Sequence, residues 1–122
     1  MRLVAATAAL SALLLALPAQ AQRSAILQAG NTGELAELCS ATPKDPQGDA
    51  KINFCHGFAQ GAIQVELRRA TDKKAFCFPS PPPRRTVTMN EFVNWVKAVP
   101  DRKTPPAVEG FFQFLGERFP CK

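Results

Sequence analysis

The stretch Thr104–Pro120, TPPAVEGFFQFLGERFP, decides the fold class. Val108, Phe111, Phe112, Leu115 and Phe119 recur at steps of three and four, the spacing that lines apolar side chains along one face of an α-helix. Thr104 reads as the N-cap and Pro105 as a first-turn residue, where a missing N–H is tolerated. Pro120 stops the run. The rest of the chain is punctuated in the same way. Pro43 and Pro46 fall in one gap, Pro79, Pro81, Pro82 and Pro83 in another, and Pro100 follows a third segment. Proline is excluded from helix interiors by its missing donor and its ring, so the prolines outline about four helices. No alternating run long enough for a strand appears, and the chain reads as all-α, a small bundle.

Three helices precede the one quoted. The first covers about residues 33–41, with Asn31 and Glu34 spaced as a capping box and Leu35, Leu38 and Cys39 on one face. The second is the longest, about residues 50–71, with Asp49 as N-cap. Its broad apolar face (Phe54, Cys55, Phe58, Ala59, Ala62, Ile63, Val65) predicts a helix central to the core. The third starts at a Thr88–Glu91 capping box with a Val87–Phe92 staple; Phe92, Trp95, Val96 and Val99 follow, and Pro100 ends it. The segment PSPPPRR, Pro79–Arg85, reads as a stiff extended spacer.

The chain opens with Met1-Arg2, then an apolar run from Leu3 to Leu17, then Pro18 and Ala19-Gln20-Ala21. A basic start, a short apolar core and an A-x-A site mark a secretory signal peptide, residues 1–21, cleaved after Ala21. The run is about 15 residues, short of the roughly 20 that span a bilayer. Residues 22–122 then form one small exported domain. Loss of Arg2 lowers the formal net charge from +5 to +4. The basic residues are scattered in pairs with acids between them, and no basic stripe with interleaved aromatics appears. Nucleic-acid binding is therefore excluded, and a mild preference for acidic partners is all the charge supports.

Cys39, Cys55, Cys77 and Cys121 all lie downstream of the leader, in a chain bound for an oxidising compartment. Four cysteines allow three pairings, and sequence alone does not choose. The helix outlines favour Cys39–Cys55, which joins the first two helices, and Cys77–Cys121, which anchors the chain after the fourth. Zinc sites need close ligand pairs such as C-x-x-C; the cysteines here are widely separated. His56 is the single histidine, and as the helical neighbour of Cys55 it points about 100° away from it, a poor nucleophile–base pair. No hydrolase, metalloprotease or nucleotide-binding motif occurs. The residues imply no metal, no cofactor and no enzyme. Gly57 and Gly61 lie inside the second helix, where each costs about 1 kcal/mol relative to alanine. Close helix packing within the domain is the first explanation, and close approach by another chain the second.

The ordered blocks LAELC, FCHGFAQGA, FCFP, TMNEFVNWV and PPAVEGFFQFLGERFPC carry a family resemblance. The chain resembles the Rap/Tai family of small periplasmic immunity proteins of type VI secretion systems, over nearly all of residues 31–122. The resemblance implies an all-helical, disulfide-held domain in the periplasm, often a homodimer. It implies a toxin enzyme as partner, a peptidoglycan amidase effector, blocked by occlusion of its active site. No inhibitory-loop motif is visible to match, so partner-binding candidates come from chemistry alone: Arg84, Arg85, Arg102 and Lys103, arginine being favoured at binding hot spots. The alternative is a periplasmic stress protein or chaperone of similar build, although one histidine offers little pH-switch machinery.

Overall fold

A computed structural model describes residues 26–69 and 72–122. The signal peptide assigned to residues 1–21 lies outside the described residues. The elements are α1 (Thr32–Cys39), α2 (Gly48–Arg68), α3 (Arg85–Ala98), a 3-10 turn (Pro100–Lys103) and α4 (Ala107–Arg118). No strand occurs among the described residues; one isolated antiparallel bridge joins Asn31 and Pro106. The expected all-α bundle of four helices is thus found, with both expected disulfides: Cys39–Cys55, Cα atoms 5.1 Å apart, and Cys77–Cys121, 4.9 Å apart.

α1 starts where its capping box places it. The Asn31 carboxamide oxygen accepts from the Glu34 amide at 2.9 Å, and Glu34 Oε2 accepts from the amides of Gly30 and Asn31. These bonds satisfy donors that a helix start leaves open. α2 begins one residue before the expected cap. Gln47 takes a left-handed conformation (φ 55°) and Gly48 packs against the Thr42 carbonyl, where no Cβ would fit. Asp49 is therefore not the cap; it sits in the first turn, where a negative charge faces the positive end of the helix dipole. The preceding turn is closed by Thr42, whose amide and hydroxyl donate to Asp45 Oδ2 at 2.6 and 3.0 Å. Those two bonds hold the Asp45 carboxyl below its ordinary range.

Two other starts differ from expectation, both just after a proline pair. A residue before proline is disfavoured in the α region. Pro82 precedes Pro83, which limits how far upstream a helix can begin; just beyond them α3 starts at Arg85, three residues ahead of the expected cap Thr88. Thr88 then lies buried within the first turn, its hydroxyl donating to the Arg84 carbonyl at 3.3 Å, and the Thr88–Glu91 box is absent. The Val87–Phe92 staple is absent too: Val87 is exposed while Phe92 is fully buried. Likewise Pro105 precedes Pro106, and α4 starts at Ala107. Thr104 instead closes the 3-10 turn, donating to the Asp101 carbonyl at 3.0 Å.

The core is built by α1, α3 and α4 with Phe76 from the segment after α2. Phe92, Phe111, Leu35, Leu115, Val96 and Phe76 are its largest fully buried apolar side chains. Phe92 meets Phe111 edge-on with centroids 5.3 Å apart, and lies 5.5 Å from Phe114, geometries that suit the ring quadrupoles. The buried seam of α4 is Ala107, Gly110, Phe111, Phe114 and Leu115. Val108, counted in the expected stripe, is exposed, and Phe112 is only half-buried.

α2 is not the central helix its apolar face predicted. It packs chiefly on α1 and fully buries only Gly48, Cys55, Ala59 and Glu66. Phe54, Phe58, Ala62 and Ile63 rest half-covered at the core edge, and Val65 is 66% exposed. Cys39–Cys55 holds this helix to α1. Its far end is held by buried Glu66, which pairs with Arg69 at 3.2 Å and accepts from the Ala75 amide at 3.3 Å. Cys77–Cys121 then ties the segment after α2 to the chain after α4, reinforced by the Cys77 amide on the Phe119 carbonyl at 2.8 Å.

Candidate functional site

The C-terminal half of α2, from Ala59 to Gln64, faces the proline segment at Pro82 and Pro83. Between them lies a cleft of about 250 Å³. Its floor is apolar, made by Ile63, Phe78, Met89 and Phe111. One wall is Gln60 and Gln64 of α2; the other is Pro82 and Pro83, with Arg85 and buried Thr88 at the start of α3. Proline holds φ near −65°, so the second wall is stiff. On the other side of the same proline segment a wider, more open groove of about 670 Å³ runs between Pro79, Pro81 and the C-terminal residues Arg118–Pro120 and Lys122. Phe78 and Pro83 border both hollows.

The four basic candidates separate into two pairs, at opposite ends of α3. Fourteen residues of helix span roughly 20 Å at 1.5 Å per residue. Arg84 and Arg85 are exposed, Arg85 lines the cleft, and neither has a carboxylate within ion-pair distance among the described residues. Arg102 is engaged inside the molecule. Its Nη1 donates to the Trp95 carbonyl at 2.8 Å, its guanidinium lies 4.2 Å from the Trp95 ring centroid, and Glu117 Oε2 is 3.7 Å away. Trp95 Nε1 donates to the same Glu117 oxygen at 2.7 Å. Lys103 is exposed, but its stem lies against Gly33, where a Cβ would come within 3.1 Å of Lys103 Cβ.

The glycines resolve differently from expectation. A Cβ at Gly57 or Gly61 would meet nothing within 4 Å. Close packing within the domain is therefore not what these two glycines serve. The close helix approach is at Gly110, which sequence reasoning passed over: a Cβ there would collide with the side chain of Thr32 on α1. The available signal was its position one turn after Ala107 and one before Phe114, along the seam of α4.

All four cysteines are oxidised, so Cys55 offers no thiol to its neighbour His56. His56 is half-buried, and its Nδ1 is out of solvent without a hydrogen-bond partner. Among the described residues no group of three or more His, Cys, Asp or Glu is placed to hold a metal ion, and no helix is long and apolar enough to cross a membrane. What the surface offers is a preformed apolar cleft with a cationic mouth.

A profile of the Rap1a immunity proteins matches residues 31–121. The chain belongs to this family. The matched span contains both disulfides, the cleft and all four helices. Comparison with curated proteins and with solved structures yields no match. Membership in the Rap1a family implies a toxin effector as the partner, so the relevant site is a protein-binding surface.

Proposed function

We propose that this Rap1a-family protein acts in the periplasm, after removal of residues 1–21, as the inhibitor of a peptidoglycan amidase effector delivered by a type VI secretion system. It binds the folded enzyme and covers its active site. The observation that carries this reading is the family match across residues 31–121. The covalent framework supports it. Two disulfides suit an oxidising compartment, and they hold α2 and the proline segment to the bundle before any partner arrives. A preorganised surface loses little freedom on binding, which favours a stoichiometric inhibitor. A homodimer of the mature chain belongs to the same reading.

Co-expression tests it. The product of the open reading frame adjacent to this gene is exported to the periplasm, with and without the full-length chain. Suppressed lysis with the full chain, and lysis with a version lacking residues 2–21, are expected. Undiminished lysis with oxidised protein present in the periplasm overturns the proposal.

A further inference from the structure

We infer that the cleft between α2 and the proline segment takes hold of an acidic segment of the toxin partner, seating an apolar side chain on Ile63, Phe78 and Met89 and a carboxylate on Arg85. The inference rests on the immunity reading above and assigns it a surface. Charge is the first argument. Arg69, Arg102 and Arg118 each have a carboxylate within 4 Å, whereas Arg84 and Arg85 have none among the described residues. No residue lining the cleft is acidic. Arg68 has no such carboxylate either, but it sits in the last turn of α2, where a cation suits the helix dipole; Arg84 and Arg85 stand instead at the start of α3, whose first turn holds no acid. A cation there opposes the helix dipole, so the fold keeps two positive charges where they weaken the helix. A carboxylate arriving from outside relieves that opposition.

Shape is the second argument. Ile63 and Phe78 are half-buried and turn their remaining apolar surface to the hollow, over the buried Met89 and Phe111, a seat for one apolar side chain. Gln60 and Gln64 stand exposed along the rim and offer donors and acceptors to the backbone of an extended segment. At 100° per residue, Gly57 and Gly61 continue the helix surface outward beyond Gln64. Among the described residues nothing lies within 4 Å of a Cβ built at either position, so a partner segment approaches the α2 backbone there without meeting those side chains. Stiff proline walls leave little to order on binding.

The test uses the mature, oxidised protein, labelled with nitrogen-15, and two synthetic pentapeptides. One is acetyl-Asp-Leu-Glu-Leu-Asp-amide; the other replaces its acids by Asn and Gln. The acidic peptide is expected to bind at least about fivefold tighter, moving the amides of Gln60, Gln64, Arg85 and Met89. Arg85→Glu is expected to abolish that preference. This variant keeps its fold, because an acid is favoured at the first residue of a helix, and Arg85→Ala gives an uncharged control. Equal binding of the two peptides, shifts that map elsewhere, or a preference surviving Arg85→Glu overturns the inference. So does a change in the protein's own sedimentation on Arg85→Glu, which assigns the cleft to a second copy of the chain. The titration does not depend on the toxin's identity. In the co-expression assay, a wild-type chain that fails to protect sinks the immunity reading. Protection that persists undiminished in Arg85→Glu sinks only this assignment.

Discussion

Gly110 of α4 lies against Thr32 of α1 so closely that a Cβ would collide with the threonine side chain. The contact is the joint of the bundle. Thr32 gives its amide and its hydroxyl to the Pro105 carbonyl at 2.8 and 2.9 Å, and the Ala107 amide donates to Gly30 at 3.2 Å. The starts of two helices are thus locked side by side, with no room for a methyl group between them.

Gly110→Ala is therefore expected to destabilise by about 1–3 kcal/mol, the usual cost of overpacking. Gly57→Ala and Gly61→Ala face open space and are expected to stabilise by about 0.5–1 kcal/mol each. Urea denaturation of the three variants reads the opposite signs. A neutral Gly110→Ala removes the joint.

Arg102→Ala is expected to cost about 1–2 kcal/mol, because it removes a hydrogen bond to the Trp95 carbonyl and a cation–ring contact together. Trp95 is the single tryptophan, so its fluorescence reports the change directly. Lys103→Ala is expected to stay within about 0.5 kcal/mol, as surface substitutions generally do. Equal effects of the two would refute the distinction between an engaged arginine and a solvated lysine.

Each disulfide is expected to contribute about 3–4 kcal/mol on the chain-entropy model, with the longer Cys77–Cys121 loop contributing more. Serine pairs at 39/55 and at 77/121, compared by thermal and urea unfolding, measure the two contributions. Mass spectrometry of the exported protein should find no free thiol, and peptide mapping should recover the pairs Cys39–Cys55 and Cys77–Cys121.

Asp45 supplies a small acid-side pH dependence. Its folded-state pKa is lowered from the ordinary 3.8, first by the Thr42 amide and then by the Thr42 hydroxyl. The lower folded value means that ionised Asp45 favours the native state above the ordinary pKa, and that this contribution fades as pH falls through the lowered one. Near neutral pH nothing changes. Thr42→Ala should move the Asp45 carboxyl titration, followed by NMR, back up toward its ordinary value. An unmoved titration would leave the hydroxyl without a role.

The sequence made the existence of the helices plain and their junctions obscure. The Asn31–Glu34 box, the prolines and the aromatic steps of α4 are local signals, and local signals survive folding. Thr88 and Glu91 carry the same box spacing, but the helix begins at Arg85, directly after the proline run, which leaves Thr88 inside it. The breadth of the α2 apolar face recorded a tendency to be covered without naming the cover, and α3 and α4 filled the core instead. The register of Gly110 on the α4 seam was legible, but its role was not: a glycine's purpose depends on what stands opposite, and Thr32 is far away in the chain. The cationic site was half legible. Composition marks an arginine as charged, but only the neighbours Trp95 and Glu117 reveal that Arg102 is already occupied while Arg85 is not.

The Cys77–Cys121 bond also redirects mechanical load. A pull on the chain beyond Cys121, such as an unfolding protease applies, does not reach α4 first. It passes through the sulfur atoms into residue 77, beside the Phe76 side chain at the aromatic centre. The helix that a tail-first unfoldase would otherwise unwind turn by turn sits inside a closed covalent loop. Such a machine must either thread two strands at once or wait for a reductant.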